Sequence, residues 1–408
     1  MPLDVRPLTG PDELPAWLRV VRTAFLEPPT VPADRLAELT ASYGESRFTG
    51  AFEDGDCVGT LRSFPQRVTA VGGAEVVADA ISGVSVAPTH RRRGILSRMI
   101  GADLAAAHAR GEAVATLIAA EYPIYGRFGF GPATHSLDWR VALAATGIDR
   151  QRALPAGGGR LALVDAGTAL AQGPALHERL RATRPGAIDR SPAWWRTLTG
   201  TGARAPGWKE PVYVLHRDAD GTPAGLLCYE VDDTSRTAKV HDLLATSPAA
   251  RRALWTYLCT IDHVTHVEIY HRPPDDVLPL LLPDPRAARV TRLADFLWVR
   301  VLDVAAAFGA RTYEAPGSLV FGVADASGPA GGTYRLTADA DGTGQVERTE
   351  EEPELVLDVG DLARLWLGDG SPLALAEAGL LDERTEGAAA RAERVLRTAR
   401  RPWCPDGF

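Results

Sequence analysis

Three consecutive arginines and a glycine, Arg91-Arg92-Arg93-Gly94, are the residues of this sequence best suited to bind an anionic ligand. An apolar run precedes them, and from Ile95 onward apolar residues recur at three- and four-residue steps, which predicts a helix. The first turn of a helix offers unpaired backbone N–H groups and a partial positive charge, and both favour phosphate. Gly94 would let the backbone approach a phosphate closely because it has no Cβ. The alternative is a basic surface turn that opens an ordinary helix.

The elements around this turn must hold it in place, and the sequence predicts them. Upstream, residues 11–25 have the apolar spacing of a helix, and Asp54-Gly55 and Gly72-Gly73 predict hairpin turns between strands. A strand over residues 81–86 leads towards the arginines. Downstream, residues 113–120 form an apolar run typical of a strand buried on both faces. The turn is therefore predicted to join a strand to a helix beside the core of a sheet.

The run Val-Ala-Pro-Thr-His-Arg-Arg-Arg-Gly over residues 86–94 resembles the enhanced intracellular survival (Eis) family of GNAT N-acetyltransferases. Leu96 departs from the general GNAT pattern, Arg/Gln-x-x-Gly-x-Gly/Ala, and the Eis family tolerates this departure. The resemblance implies that acetyl-CoA inserts between two central strands that splay apart. The implied contacts are the backbone of Val84, Ser85 and Val86 for the pantetheine arm, Arg92, Arg93, Gly94, Ile95, Leu96 and Ser97 for the pyrophosphate, and Ala120 and Glu121 for the acyl end.

Two further motifs resemble the same family. Glycines alternate with aromatic residues in Ile-Tyr-Gly-Arg-Phe-Gly-Phe-Gly, residues 124–131, a pattern that more commonly marks a turn with aromatic packing. The resemblance implies that Tyr125 is the catalytic acid, with Tyr122 as a weaker rival. The chain ends in Pro402-Trp403-Cys404 and then Phe408, although most termini are frayed. The resemblance implies that the main-chain carboxylate of Phe408 is the catalytic base.

The order of elements divides the chain into three predicted domains. We expect a catalytic GNAT domain that binds acetyl-CoA over residues 1–149, a second, degenerate GNAT-like domain over residues 150–290, and a sterol-carrier-protein-like domain over residues 291–408. The second domain repeats the strand-then-helix order of the first but lacks an Arg-x-x-Gly at the junction. A turn at 155–159 is typical of a linker, and the apolar run 296–302 is expected to begin the third domain. The predicted fold class is α+β or mixed, with tandem GNAT folds.

Composition excludes several classes of protein. The chain of 408 residues is 45% hydrophobic and 24% charged, which is typical of a globular protein. No apolar run reaches the ~20 residues of a membrane span. The net charge is −8 and basic residues are scattered, so we expect neither nucleic acid nor membrane as a partner. The N-terminus does not resemble a secretory signal, and the four scattered cysteines predict a cytoplasmic protein without a zinc site.

The predicted function is an acetyl-CoA-dependent N-acetyltransferase that acts on primary amines of polyamine-type molecules such as aminoglycosides. The alternatives are a protein-lysine N-acetyltransferase and a non-catalytic lipid-binding or scaffold protein. A net acidic composition mildly favours cationic substrates through electrostatic steering. Glu27 and Asp406 are candidates to hold a second amine, and Phe25 and Trp403 are candidates to line the pocket, although each is more typical of an ordinary surface or core residue. The family resemblance further implies a homohexamer, and no metal is expected.

Overall fold

The computed structural model of the protein describes residues 3–148, 159–202, 208–326 and 328–408. Of the linker predicted at 155–159, residues 155–158 lie outside these ranges. The chain divides into two compact units. The first comprises Met1–Thr134, Phe296–Ala399 and Gly407–Phe408, and the second comprises His135–Asp295 and Arg400–Asp406. Within the described ranges, no helix is both long and apolar enough to cross a membrane.

Strands and helices of the described residues follow one another along the whole chain. The strands are β1 (Asp4–Pro7), β2 (Arg47–Glu53), β3 (Asp56–Thr69), β4 (Glu75–Val86), β5 (Val114–Ile118), β6 (Gly131–Pro132), β7 (His135–Ala142), β8 (Arg160–Val164), β9 (Val212–Arg217), β10 (Pro223–Asp232), β11 (Thr237–Ala245), β12 (His266–Arg272), β13 (Ala288–Asp295), β14 (Leu297–Val301), β15 (Gly317–Ala324), β16 (Gly332–Ala338), β17 (Gly344–Arg348), β18 (Leu355–Asp358) and β19 (Leu381–Glu383). The α-helices are α1 (Leu14–Ala24), α2 (Ala33–Ala41), α3 (Ile95–Ala109), α4 (Tyr122–Tyr125), α5 (Ala166–Arg181), α6 (Pro192–Leu198), α7 (Pro248–Thr260), α8 (Leu278–Leu281), α9 (Val304–Gly309), α10 (Val359–Trp366), α11 (Pro372–Glu377) and α12 (Ala388–Leu396).

Seven strands form the first sheet, in the order β1-β2-β3-β4-β5-β14-β6. The two predicted hairpin turns are present, and both use left-handed backbone: φ is 52° at Asp54 and 90° at Gly55, 92° at Gly72 and 95° at Gly73. Positive φ at both central residues, Asp54 and Gly55, matches the right-handed twist of the flanking strands. In the second hairpin the Gly73 N–H donates to the Ala70 carbonyl at 3.0 Å, so Val71 and Gly72 are the central residues of that turn. Buried residues of α3 share one apolar cluster with residues of β3, β4, β5 and β14, so the helix is fixed on the sheet.

The second sheet also has seven strands, in the order β13-β7-β12-β11-β10-β9-β8. In sequence β7 follows the first sheet's β6, yet it pairs with β12 and β13 of the second sheet. Conversely, β14 follows β13 in sequence but pairs with β5 and β6 of the first sheet. The two sheets thus exchange strands across the predicted boundaries at 149/150 and 290/291, and the run 296–302 supplies a strand to the first sheet. The boundaries of the continuous domains stay a prediction.

Five strands form the third sheet, in the order β17-β16-β15-β18-β19. A buried arginine ties the helices of this region together. Arg311 is 1% exposed and donates to the backbone carbonyls of Leu365 and Trp366 at 3.0 and 2.7 Å and of Leu396 at 2.7 Å. Burial lowers the pKa of Arg311 to about 10. The carbonyl oxygens compensate the lost hydration of the guanidinium, so the ends of α10 and α12 are held at one point.

Candidate active site

The predicted opening of the first sheet lies between β4 and β5. These strands run parallel and pair only across Ala78–Val114, Asp79–Ala115 and Ala80–Thr116. Beyond Ala80, β4 continues to Val86 with β3 as its partner on one side only. Within the described residues, the β5-facing backbone groups of Val84, Ser85 and Val86 therefore have no strand partner. Such an edge can accept an extended ligand through main-chain hydrogen bonds.

A register shift bends β4 at the start of this opening. Thr60 pairs with Ser85 and Arg62 pairs with Ser82, so Gly83 and Val84 form a bulge on β4. Gly83 has φ of +59°, and a Cβ there would lie 2.8 Å from the Trp17 ring, so glycine is required twice over. The Thr60 hydroxyl donates to the Gly83 carbonyl at 2.8 Å and lies 2.6 Å from the Ser85 hydroxyl. These contacts fix the bulge in place.

Helix α3 begins beside this strand end, as the sequence predicts. Gly94 is its N-cap with φ of +76°, and no side chain of the described residues caps the helix. A Cβ at Gly94 would meet no atom within 4 Å, so the space beside this residue is open. Ile95 is 1% exposed and anchors the helix start in the core, while Leu96 packs at its edge and Ser97 is exposed. The free N–H groups and the helix dipole therefore point into accessible space, where a phosphate would bind.

The arginines of the turn have different surroundings. Arg93 forms a two-point ion pair with Glu53, with one N–H···O distance of 2.9 Å, and Glu53 also contacts His90 Nε2 at 3.1 Å. The hydrogen bond from Arg93 lowers the pKa of Glu53. Arg92 has φ of +63°, is exposed, and has no hydrogen bond or ion pair among the described residues. The Arg92 guanidinium is thus available to a ligand, whereas the Arg93 side chain orients the turn.

The two candidate tyrosines are clearly different. Tyr125 is 8% exposed, its ring packs edge-on against Phe130 at 6.2 Å, and its hydroxyl has no hydrogen-bond partner within the described ranges. Burial raises the pKa of Tyr125, and the nearby Glu121 carboxylate adds to this shift. Tyr122 is 52% exposed and accepts a hydrogen bond from Arg364 at 2.9 Å. The Tyr122 hydroxyl therefore already has a hydrogen-bond partner, which leaves Tyr125 as the stronger candidate for the acid.

Ala120 and Glu121 follow the end of β5 at the same opening. Both are exposed, and Glu121 is the N-terminal flank of the short helix that carries Tyr125. The opening of the sheet, the predicted acyl-end residues and the buried phenol thus follow one another within a few residues of chain.

The C-terminal residue lies on the same segment of β4. The Ser82 hydroxyl donates to a terminal oxygen of Phe408 at 3.1 Å, and the Phe408 ring packs edge-on against Phe64 at 5.9 Å. The Arg62 side chain lies over the Phe64 ring, with its guanidinium carbon 4.7 Å from the ring centroid. Burial lowers the pKa of Arg62 to about 10. Ser82, two residues before Val84, therefore holds the terminal carboxylate at the edge of the opening.

Sequence reasoning missed Ser82 and Phe64. Their partner is more than 300 residues away along the chain, and neither belongs to a motif. One signal could have pointed to Ser82: it lies on the same predicted strand, 81–86, as the residues assigned to the cofactor.

Two of the candidate pocket residues are core residues, which was the alternative for each of them. The Asp406 carboxylate is 4% exposed and accepts from Arg190 Nε at 2.9 and 3.0 Å, and it contacts His177 Nε2 at 3.3 Å. Burial alone would raise the pKa of Asp406, but Arg190 and His177 outweigh it and bring the pKa below its usual value. Trp403 is 5% exposed in the apolar cluster of the second unit. Neither side chain is available to a substrate.

The other two candidates lie at the end of α1. Glu27 pairs with Arg22 at 2.8 Å and remains half exposed, and Phe25 is 52% exposed. They stay candidates for an acceptor surface.

Comparison with known proteins gives matches along the whole chain. Acetyltransferase (GNAT) domain families match residues 4–133 and 186–301, and the sterol carrier protein domain family matches residues 304–405. The predicted order of two GNAT domains and a sterol-carrier-protein-like domain is therefore confirmed.

Individual relatives agree with these families. An uncharacterized N-acetyltransferase of Streptomyces avermitilis is 53% identical over 100% of this chain and 99% of its own. The N-acetyltransferase Eis of Mycobacterium tuberculosis is 35% identical over 81% of both chains. The crystal structure of Eis1 from Mycobacterium abscessus superposes with a TM-score of 0.84 at 34% identity, covering 100% of both chains.

Proposed function

Because this chain belongs to the Eis family of GNAT N-acetyltransferases, we propose that it transfers the acetyl group of acetyl-CoA to primary amines of polyamine-type substrates such as aminoglycosides. The observation that carries the proposal is the Phe408 carboxyl group, bound by Ser82 at 3.1 Å on the unpaired segment of β4. A proton acceptor beside a cofactor-binding strand end is what transfer to an amine requires.

The surroundings of the opening fit acetyl-CoA. The unpaired edge of Val84–Val86 would hold the pantetheine arm, and the uncapped start of α3 with Gly94 and Arg92 would hold the pyrophosphate. When bound, the cofactor supplies an acetyl thioester. The backbone near Val86 would polarise its carbonyl group.

The base and the acid have separate positions. An alkyl ammonium has a pKa near 10.4, so a neutral amine must be generated at the site, and a terminal carboxylate is ionised at neutral pH and can accept the proton. Tyr125 would protonate the departing thiolate. Since burial raises its pKa, the phenol stays protonated at neutral pH and can act as an acid.

Acetyl-CoA consumption tests the proposal. We expect release of free thiol with an aminoglycoside as acceptor and much slower release with a lysine-bearing peptide. Faster turnover of the peptide would replace the proposed substrate by protein lysines. If acetyl-CoA neither binds nor turns over, the proposed transfer is wrong and a non-catalytic role replaces it.

We further propose that the protein is a cytoplasmic homohexamer. The assembly rests on family membership and the location on the composition of the chain. Analytical ultracentrifugation and cell fractionation test the two statements separately; a monomer or a secreted product would contradict them.

A further inference from the structure

Two buried aspartates lie in contact where α3 packs on the first sheet, and the acetyl-transfer proposal uses neither of them. Asp79 on β4 is fully buried, and Asp103 on α3 is 9% exposed. Asp79 lies near the end of the segment over which β4 and β5 still pair, one residue before the last paired position, Ala80. The contact therefore joins α3 to the strand that borders the proposed cofactor opening.

One oxygen of each carboxyl group has hydrogen-bond donors. Asp79 Oδ1 accepts from Arg47 Nη2 and from Arg110 Nη2, the latter at 3.2 Å. Asp103 Oδ1 accepts from the Ser63 hydroxyl at 2.8 Å. Arg47 Nε in turn donates to that hydroxyl at 3.1 Å. The Arg47 and Ser63 side chains therefore hold the two carboxyl groups beside each other.

The second oxygen of each carboxyl group has no such donor. Asp79 Oδ2 and Asp103 Oδ2 are both buried, and neither accepts a hydrogen bond from a donor group within the described ranges. Leaving two buried carboxylate oxygens unsatisfied is unfavourable, and two ionised carboxylates in contact repel each other. A single proton relieves both effects, because a protonated carboxyl group donates a hydrogen bond and its ionised neighbour accepts it.

The charges around the pair also favour one proton. Glu112, a third carboxyl group, is 6% exposed, and its carboxylate lies 2.8 Å from Arg110 and 3.7 Å from Arg47. The ion pairs of this cluster thus bring three carboxyl groups against two guanidinium groups within the described ranges. With every group ionised the cluster has one excess negative charge, and retention of one proton makes it neutral. Burial favours the neutral arrangement.

The electrostatics of Asp79 agree with this arrangement. Burial raises the pKa of Asp79 to about 8. The charge of Asp103 and the hydrogen bond between the two side chains add to this rise, as Glu112 also does, and Arg47 opposes it. The ordinary value in an unfolded chain is near 3.9. The stabilising effect of the proton is therefore complete below about pH 4 and is lost as pH rises through about 8.

We infer that Asp79 and Asp103 share one proton, and that this proton fastens α3 to β4. While the proton is present, an O–H···O hydrogen bond joins the helix to the strand. When the proton passes to water at alkaline pH, two carboxylates face each other across the same contact and repel. Alkaline pH therefore loosens the helix whose first turn forms the proposed pyrophosphate site.

Infrared spectroscopy of the full-length protein detects the proton directly. At about pH 6 exposed carboxyl groups are ionised, so the C=O stretching band of a carboxylic acid comes from buried groups. We expect such a band in the native chain, and we expect it to disappear with a midpoint near pH 8. Carboxyl-¹³C-labelled aspartate shifts the band and assigns it to an aspartic acid without any substitution. Asp79→Asn and Asp103→Asn should each remove it.

Hydrogen exchange of the α3 amides measures the attachment of the helix. After correction for intrinsic exchange rates, the opening constant of α3 in the native chain should rise up to about tenfold per pH unit between about pH 6 and pH 8 and then level off. In Asp103→Asn an amide N–H permanently replaces the shared proton, so this pH dependence should disappear. Asp56→Asn is the matched control, since it changes an exposed carboxyl group of the same sheet, and it should keep the native pH dependence.

Both measurements are made without acetyl-CoA, so their outcome is separate from that of the proposed acetyl transfer. Circular dichroism establishes that each variant is folded, and if neither asparagine variant of the pair folds, the labelled native chain alone decides. The inference is overturned if the native chain shows no aspartic acid band that titrates near pH 8, if the band persists in both variants, or if α3 of Asp103→Asn shows the native pH dependence.

Discussion

Each of the two seven-stranded sheets contains a pair of parallel strands that stop pairing part-way, and the two resulting openings differ. In the first, β4 and β5 are parallel and stop pairing after Ala80–Thr116; in the second, β11 and β12 are parallel and stop after Val240–Ile269. Each opening begins beside a bulge, at Gly83 on β4 and at His241 on β11. Two sheets with the same topology thus reach the same opening from unrelated residues.

What lies in each opening is different. In the first, as far as the described residues go, the backbone of β4 beyond Ala80 lacks a β5 partner, and α3 starts at a glycine without a side-chain cap. In the second, Arg272 donates to the Leu243 carbonyl of β11 and the Trp403 indole donates to the His271 carbonyl of β12 at 2.5 Å. The first opening is therefore available to a ligand, whereas the protein's own side chains satisfy the second.

The helix starts differ in the same sense. Ser247 caps α7 by accepting from the Ala250 N–H at 3.1 Å, so a donor that could bind a phosphate is already used. The comparison indicates that the proposed cofactor site depends on leaving backbone groups unpaired. In the second sheet, side chains bind the corresponding backbone carbonyls and cap the helix.

The largest expected effect concerns the first opening. Tyr125→Phe removes the proposed acid, so we expect kcat to fall about 10²- to 10⁴-fold with little change in KM for acetyl-CoA. Steady-state kinetics measure both constants. Tyr122→Phe is the matched control, because that hydroxyl bonds to Arg364, and its kcat should stay near the native value. The opposite ranking of the two variants would transfer the acid role to Tyr122.

The next effect concerns a buried ion pair of the second unit, which includes Asp242 on β11. Asp406→Ala leaves the buried Arg190 with one carboxylate partner, Asp242, and we expect a loss of about 3–5 kcal/mol in the free energy of unfolding. Urea unfolding measures this loss. Asp382→Ala, at an exposed ion pair with Arg384, should cost less than about 1 kcal/mol. Equal losses in the two variants would show that the buried ion pair stabilises the fold no more than the exposed one.

The same pair predicts a pH dependence. The pKa of Asp406 is lowered in the folded protein, so its contribution is present above the unfolded pKa near 3.9 and is lost as pH falls through the folded value. The difference between native protein and Asp406→Ala should therefore shrink below about pH 4. A difference that grows on acidification would contradict this assignment.

A smaller effect is expected at the start of α3. Gly94→Ala places a side chain at φ of +76°, where an L-residue is disfavoured by roughly 1–2 kcal/mol, and adds a Cβ on the side predicted to face the pyrophosphate. KM for acetyl-CoA should rise about 5- to 30-fold, with thermal stability reported alongside. Gly101→Ala, within the same helix and with free space around it, should leave KM unchanged.

The smallest effect is expected at the corresponding helix start of the second sheet. Ser247→Ala removes the cap of α7 and should cost about 1 kcal/mol of stability. Turnover should be unaffected, because we expect the cofactor to bind only at the first opening. A rise in KM for acetyl-CoA in this variant would mean that the second opening also takes part in cofactor binding.

Local patterns allowed much of the first opening to be predicted. Apolar spacing predicts α3, the Gly-containing pairs predict both hairpins, and the apolar run at 113–120 predicts β5, since each signal lies within a few residues. The helix predicted over 11–25 is observed as α1, Leu14–Ala24, after a short turn of 3₁₀-helix. These elements needed no information about distant residues.

Partners that are distant in sequence could not be predicted in this way. The apolar run 296–302 was expected to begin the third domain, and no local pattern indicates that β14 joins the first sheet while β7 joins the second. The burial of Asp406 could not be predicted, because its partners Arg190 and His177 lie more than 200 residues earlier. The Ser82–Phe408 contact was missed for the same reason, although the role of Phe408 was implied by family resemblance.

The most direct test of the account adds a few residues after Phe408. An extension moves the free carboxylate away from Ser82 while every side chain stays in place. Activity with an aminoglycoside and the dissociation constant of acetyl-CoA are compared between the native and extended chains, with thermal unfolding as the control for folding. We expect turnover to fall at least ~100-fold while acetyl-CoA binds as before. Equal turnover in a folded, extended chain would show that the base is not the terminal carboxylate.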